Sequence, residues 1–341
     1  MTMKASDSRP FRRRDLRVTA LGMGSAPFGG LYGPVKASDA VATVEASWEA
    51  GIRYFDTAPM YGSGRSEHLL GQVLREREGP FAISTKVGRL MANKRPGREL
   101  PPPAPKGRLD NGWSSKLPFQ EVFDYSYDAV MRSYDDSQQR TGLAHFDILY
   151  VHDIGRLTHQ GEAHERHWSA LTKGGGFRAL AELRDAGCIK AFGLGVNEWE
   201  VIRDAMEEAD IDCCLLAGRY TLLDQQAAKT FLPLARSRGV EVILGGVFNS
   251  GVLAGKDRKF NYADAPPEIL EKVKKLEAVC ARHDVPLPAA AMQFPYRNPA
   301  ITSILIGAVD AAQIRQNVAW FERDIPESLW KDLASAGLIG E

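Results

Sequence analysis

An α/β fold closed into a (β/α)8 TIM barrel is what this sequence predicts, and three observations predict it. Eight short apolar runs rich in β-branched residues alternate with longer segments of helical period. Several helical segments end on a glycine that leads straight into the next apolar run, as at Glu49-Ala50-Gly51-Ile52 and Asp185-Ala186-Gly187-Cys188. No linker divides the series. Eight βα units suit a closed barrel better than an open doubly wound sheet.

Taken in order, the candidate strands are VTALGMGS from Val18, IRYFD from Ile52, PFAISTKVG from Pro80 and FDILYVHD from Phe146. IKAFGLGVN from Ile189, IDCCLLAGRY from Ile211, VEVILGG from Val240 and ITSILIGA from Ile301 complete the set. Between them lie amphipathic stretches such as SDAVATVEASWEAG, SEHLLGQVLRE, GFRALAELRDAG and EWEVIRDAMEEA. FQEVFDYSYDAVMRSYDDSQQR, from Phe119, reads as one long helical stretch. The chain is therefore expected to form one domain over residues 1–341, with residues 1–15 disordered. A non-periodic segment, 89–118, contains Pro101-Pro102-Pro103-Ala104-Pro105 and is expected to lie as a long loop over the active site.

Composition excludes several classes. The 43 basic side chains equal the 43 acidic ones, so the charge balance calls for neither nucleic acid nor an anionic membrane as partner. Arg12-Arg13-Arg14 is too local a cluster for a nucleic-acid surface and is expected to decorate a frayed terminus. No apolar run is long enough to span a bilayer, and the first residues lack the apolar core of a secretory signal. Cys188, Cys213, Cys214 and Cys280 show no CxxC spacing, and read as packing thiols in a cytoplasmic protein with no metal site.

In a (β/α)8 barrel, chemistry sits at the carboxyl ends of the strands. Those ends carry Asp56 with Tyr61 just beyond it, then Lys86, His152 and Asn197. Each has an ordinary alternative: a turn cap for Asp56, a packed ring for Tyr61, a snorkelling Lys86, a structural His152. Their shared face argues for chemistry. A lysine cation beside a phenol favours the phenolate, an aspartate keeps that lysine charged, and a histidine aligns the substrate oxygen. Such a set would move a proton on a hydroxyl or carbonyl while a hydride moves at its carbon, which implies a nicotinamide cofactor.

GIRYFDTAPMYGSGRSEHLLG, followed by STKVG, YVHD and GLGVN, resembles the aldo-keto reductase superfamily over nearly the whole chain, from about Val18 to Asn317. The resemblance implies a barrel that binds NAD(P)H and a catalytic tetrad of Asp56, Tyr61, Lys86 and His152, with Tyr61 as general acid/base. It assigns Asn197 to the nicotinamide carboxamide and Tyr220 to stacking on the nicotinamide ring. GGVFNSGVLAG would lie over the pyrophosphate through Gly246, Val247, Phe248, Asn249 and Gly251. The adenosine end would fall to Gly307, Gln313 and Asn317. NADPH-using members carry Lys-Ser where Gly307-Ala308 stands and Arg where Gln313 stands, so the expected cofactor is NAD, with NADP the alternative and Arg315 the nearest substitute cation. Ala217 replaces a common glutamine, and Gly245-Gly246-Val247-Phe248 replaces the usual YSPL.

TAPMYGSGRSE, LLAGRYTLLDQ and GGVFNSGVLAG are most similar to the branch of D-threo-aldose 1-dehydrogenases and pyridoxal 4-dehydrogenases. The expectation is oxidation of the anomeric hydroxyl of an aldose such as L-fucose, D-arabinose or L-galactose to the lactone. Pyridoxal oxidation, NADPH-dependent reduction of small aldehydes and a cofactor-sensing regulatory barrel are the alternatives. Phe28, Tyr32 and Trp113 are candidate substrate contacts. The partners expected are a small sugar or pyridoxal-like molecule and, at most, weak self-association.

Overall fold

The computed structural model describes residues 3–97, 99–100, 112–255 and 259–340. At its centre eight parallel strands close on themselves: β1 (Leu21–Gly24), β2 (Tyr54–Asp56), β3 (Ala82–Val87), β4 (Ile148–His152), β5 (Ala191–Val196), β6 (Cys213–Ala217), β7 (Glu241–Gly245) and β8 (Ile301–Ile306). Each pairs with its neighbours in sequence, and β8 returns to β1 with Ile304 opposite Leu21. Every apolar run read as a strand is one of these eight.

Alternation of side chains along each strand sorts the core into two layers. Phe55, Ile83, Leu149 and Val151 face outward into a large cluster under the helices α1 (Ala37–Glu49), α2 (Arg65–Leu74) and α3 (Tyr127–Thr141). Tyr54, Ala82, Ile148, Tyr150, Cys213 and Ile243 face inward and fill the barrel. Close approach is built in where it is needed. A Cβ on Gly71 of α2 would stand 2.1 Å from the Thr141 carbonyl of α3, so only glycine lets those helices meet.

Residues 3–15 are not disordered. Ser8–Pro10 pairs antiparallel with Arg17–Thr19, and Phe11, Leu16 and Val18 join the inner cluster at the end of the barrel opposite the strand carboxyl ends. The arginine cluster clamps this plug. The backbone N–H and the Nε of Arg12 bond Glu241, Arg13 pairs with Asp210, and Arg14 Nε meets Asp212 at 2.5 Å. A basic run that looked solvent-facing is thus paired with acids at the starts of the strands, Asp212 and Glu241 buried and Asp210 exposed.

The region after β3 also differs from expectation. Arg89–Ala92 and Gln120–Phe123 form an antiparallel hairpin, so the stretch from Phe119 opens as a strand and turns helical only at Tyr127. Residues 98 and 101–111 of the expected 89–118 loop, including the proline run, lie outside the described residues. Ser114 and Ser115 donate backbone N–H bonds to Gly30 and Gly29, which holds the segment after them against the first βα loop.

Candidate active site

At the mouth of the barrel, the two-residue period of the strands places Asp56 one layer above Tyr54, Lys86 above Ser84 and His152 above Tyr150. Lys86 Nζ donates to Asp56 Oδ2 at 2.7 Å and to the Thr57 carbonyl at 2.9 Å, and both side chains are almost wholly buried. Gly195 lies close under this pair: a Cβ there would press on Tyr150 Cβ at 3.2 Å and touch Lys86 Cε at 3.4 Å. Asp56 Oδ1 accepts from Ser84 Oγ at 2.7 Å. The Tyr61 ring lies over Lys86, 4.8 Å from Nζ to its centroid, and meets the His152 ring edge-on at 5.9 Å. The four expected residues are together.

Electrostatics qualify one expectation. Burial pushes the Tyr61 hydroxyl well above its usual pKa of 10, with Asp56, Tyr262 and Asp153 adding to the rise and Arg89 opposing it. Lys86, committed to two acceptors, does not reverse that, so Tyr61 is a neutral phenol rather than the phenolate expected beside a lysine. Burial also holds His152 well below the ordinary imidazole range, reinforced by Arg89 and Lys86, and the ring is neutral. Its Nδ1 is buried with no protein partner. Burial raises the Asp56 carboxyl, while Lys86 and Ser84 work against the rise.

Arg89, which the motif reading passed over, ties the hairpin to the site. It bonds Glu121 at 2.7 Å and Asp153 at 2.5 Å, and Asp153, at φ 46°, follows His152 directly. Burial disfavours the guanidinium, but the two carboxylates outweigh that and raise its pKa. Trp113 lies 5.5 Å from the Tyr61 ring and makes an aromatic wall beside it.

From this mouth runs a cleft with a cavity volume of about 560 Å³. Asn197, Gly246, Val247, Phe248, Asn249, Gly251, Gly307, Gln313, Asn317 and Tyr32 all line it, with Asp56 and Tyr61 at one end. Three expected contacts do not, Trp113 among them, which stands beside Tyr61 instead. Tyr220 packs at 5.2 Å on Phe294 within the outer core and is not among the residues that line the cleft. Phe28 is fully buried in the same core. Both are apolar enough to serve packing, and a loop residue's direction is not encoded in periodicity. Tyr262 was missed. It sits with Asn261 in a hairpin turn where both residues have positive φ, and its hydroxyl accepts from Asn197 Nδ2 at 3.5 Å.

The cleft fits a dinucleotide on chemical grounds. Asn249 is buried at φ 47°, with both side-chain amide atoms lacking a protein partner. Gly246 and Gly251, at φ 65° and 105°, bare the backbone beside it. Among the described residues no lysine or arginine lines the cleft, and no group of histidine, cysteine and acidic side chains is placed to hold a metal. No helix of the described residues is long and apolar enough to cross a membrane.

Residues 20–337 match the aldo/keto reductase family. A pyridoxal 4-dehydrogenase of Microbacterium luteolum is 62% identical over 99% of this chain and 100% of its own length. A D-threo-aldose 1-dehydrogenase from a Pseudomonas species is 38% identical over 95% of each chain. In structure, a glycerol dehydrogenase from Gluconobacter oxydans superimposes with a TM-score of 0.72 at 19% identity, covering 99% of this chain and 98% of the other. An aldo-keto reductase from Bacillus halodurans, in its holo form, gives the same TM-score at 21% identity, over 97% and 96%.

Proposed function

The chain belongs to the aldo/keto reductase family, and from that premise we propose that it oxidises a cyclic hemiacetal to a lactone, with pyridoxal as substrate and NAD as the preferred cofactor. The observation that carries the substrate is the 62% identity to a pyridoxal 4-dehydrogenase along the full length of both chains. Pyridoxal bears an aldehyde beside a hydroxymethyl group and closes to a flat, bicyclic hemiacetal. The Trp113 wall beside Tyr61 suits such a ring. The nicotinamide dinucleotide supplies the hydride acceptor.

The chain's own groups handle the oxygen. Tyr61 meets the anomeric hydroxyl and, after first losing its own proton, takes that hydroxyl's proton as the phenolate and returns to the phenol. The open Nδ1 of neutral His152 accepts a hydrogen bond from the same hydroxyl before transfer, which orients it. Asp56 fixes the Lys86 ammonium below the phenol ring, and this cation favours the phenolate that must form before the transfer. Asn197 would hold the carboxamide, and Asn249 with Gly246 and Gly251 would hold the phosphates. Among the described residues the cleft has no cation to neutralise a 2′-phosphate, which supports NAD over NADP.

A second reading, oxidation of an aldose such as L-fucose or L-galactose, is supported by the 38% identical D-threo-aldose 1-dehydrogenase. Absorbance of the reduced cofactor separates the two. Pyridoxal, L-fucose, D-arabinose and L-galactose are each offered with NAD⁺ and with NADP⁺. Pyridoxal with NAD⁺ should give the highest kcat/KM. A sugar outperforming pyridoxal overturns the substrate, and NADP⁺ outperforming NAD⁺ overturns the cofactor.

A further inference from the structure

Below the four residues of the site, the barrel interior holds polar groups that no step above uses. Ser84 Oγ lies 2.7 Å from Asp56 Oδ1, Tyr54 Oη 3.2 Å from Ser84 Oγ, and Tyr150 Oη 3.1 Å from Tyr54 Oη. The Cys213 thiol stands against Tyr150 at the far end. Tyr54, Ser84, Tyr150 and Cys213 are fully buried, and the N-terminal plug closes the barrel beneath them.

An ionised carboxylate only accepts, so the single proton of Ser84 is directed at Asp56. Ser84 Oγ then has only its lone pairs to offer Tyr54, which must donate to it. Tyr54, its proton spent, must accept from Tyr150. The charge on Asp56 therefore fixes the sense of the whole series, and each O–H dipole points its positive end towards the carboxylate. We propose that Ser84, Tyr54 and Tyr150 are positioning residues that form a one-way hydroxyl chain, which keeps Asp56 ionised and aimed at Lys86. The chain ends at the buried Cys213 thiol above the apolar plug, so it carries no proton to solvent. It acts as an oriented solvent for an acid that has lost its water.

Other groups also face this acid, and none replaces the chain. Lys86 from β3 satisfies Oδ2. Tyr61 lies above Lys86, His152 beside Tyr61 is neutral, and Arg89 is committed to Glu121 and Asp153. Oδ1 has Ser84 as its side-chain donor. Asp56 is raised chiefly by burial and lowered by Lys86 and Ser84, the direction the chain requires.

The role rests on the proposed catalytic use of Asp56 and Lys86, so the test has one arm that needs no turnover. Protein carrying ¹³C-carboxyl aspartate is titrated by NMR, with the Asp56 signal identified by its loss in Asp56→Asn. Ser84→Ala should raise the Asp56 pKa by about one unit or more, Tyr54→Phe by less and Tyr150→Phe by least, with Ser84→Thr restoring the wild-type value. In the kinetic arm, the acid limb of kcat should move up in the same order while KM holds. Equal titration of Asp56 in the wild type and Ser84→Ala overturns the proposal, even if Ser84→Ala is slower. A shifted titration alongside a wild type inactive on pyridoxal and all sugars upholds the chain and overturns the substrate reading instead. Thermal melts confirm that each variant compared is folded, and Ser84→Cys replaces any that is not.

Discussion

Tyr61 sets the most direct residue-scale test. Tyr61→Phe keeps the ring that packs against Trp113 and His152 but removes the proton carrier. It should lower kcat by about 10²- to 10⁴-fold and leave the Kd for NAD⁺ nearly unchanged. Near-normal turnover would exclude its acid/base role. Because burial holds the phenol above its ordinary pKa, oxidation should quicken as pH rises, and Lys86→Met should push that rise to still higher pH. An unmoved pH profile would break the link between the two residues. At the other end of the cleft, Gln313→Arg should improve kcat/KM with NADP⁺ by about ten-fold, a charge-assisted contact being worth at least that. No gain would place the 2′-hydroxyl elsewhere. These residues were legible because strand ends in a closed barrel share one face. The placing of Tyr220 and Phe28 in the core was not legible, because a ring in a βα loop can turn towards cleft or core, and the surrounding packing, Phe294 for Tyr220, sets its direction.

The same limit recurs with whole elements. The eight strands could be read from apolar runs bounded by glycine and polar residues, since both faces of a parallel barrel strand are buried. The hairpin Arg89–Ala92 with Gln120–Phe123 could not, because its partners lie far apart in sequence and its side chains are only half apolar. Arg89 is its anchor. Arg89→Met would strand the Asp153 and Glu121 carboxylates under the hairpin. The loss should be about 3–5 kcal/mol if both remained buried, and less where Glu121 reaches solvent, read from urea unfolding. An unchanged midpoint would show the hairpin to be held by packing alone. Helix packing gives an independent check. Gly71→Ala should cost about 1–3 kcal/mol through its clash with Thr141, despite alanine's better helix propensity.

For the molecule as a whole, buried neutral histidines tie stability to pH. Burial and its neighbour His167 lower His159 to about 3, and burial lowers His152 as well. Unfolded, both would take up protons near pH 6.5. The stabilisation is therefore complete above about pH 6.5 and drains away as pH falls towards the folded values. Melting temperature should drop between pH 7 and 5, and His159→Gln should flatten the drop. The barrel architecture was legible in its eight-fold alternation, but its stopper was not, because an amphipathic stretch with three arginines resembles a frayed tail. That stopper orders events in time. A ribosome makes Phe11 and Leu16 long before the rim that receives them, which includes Glu241 and the strand that closes the cylinder, Ile301–Ile306. The plug must wait for the strands that hold it. Synthesis cut short before β8 therefore leaves an open-edged sheet with its cork unseated, a species prone to aggregate.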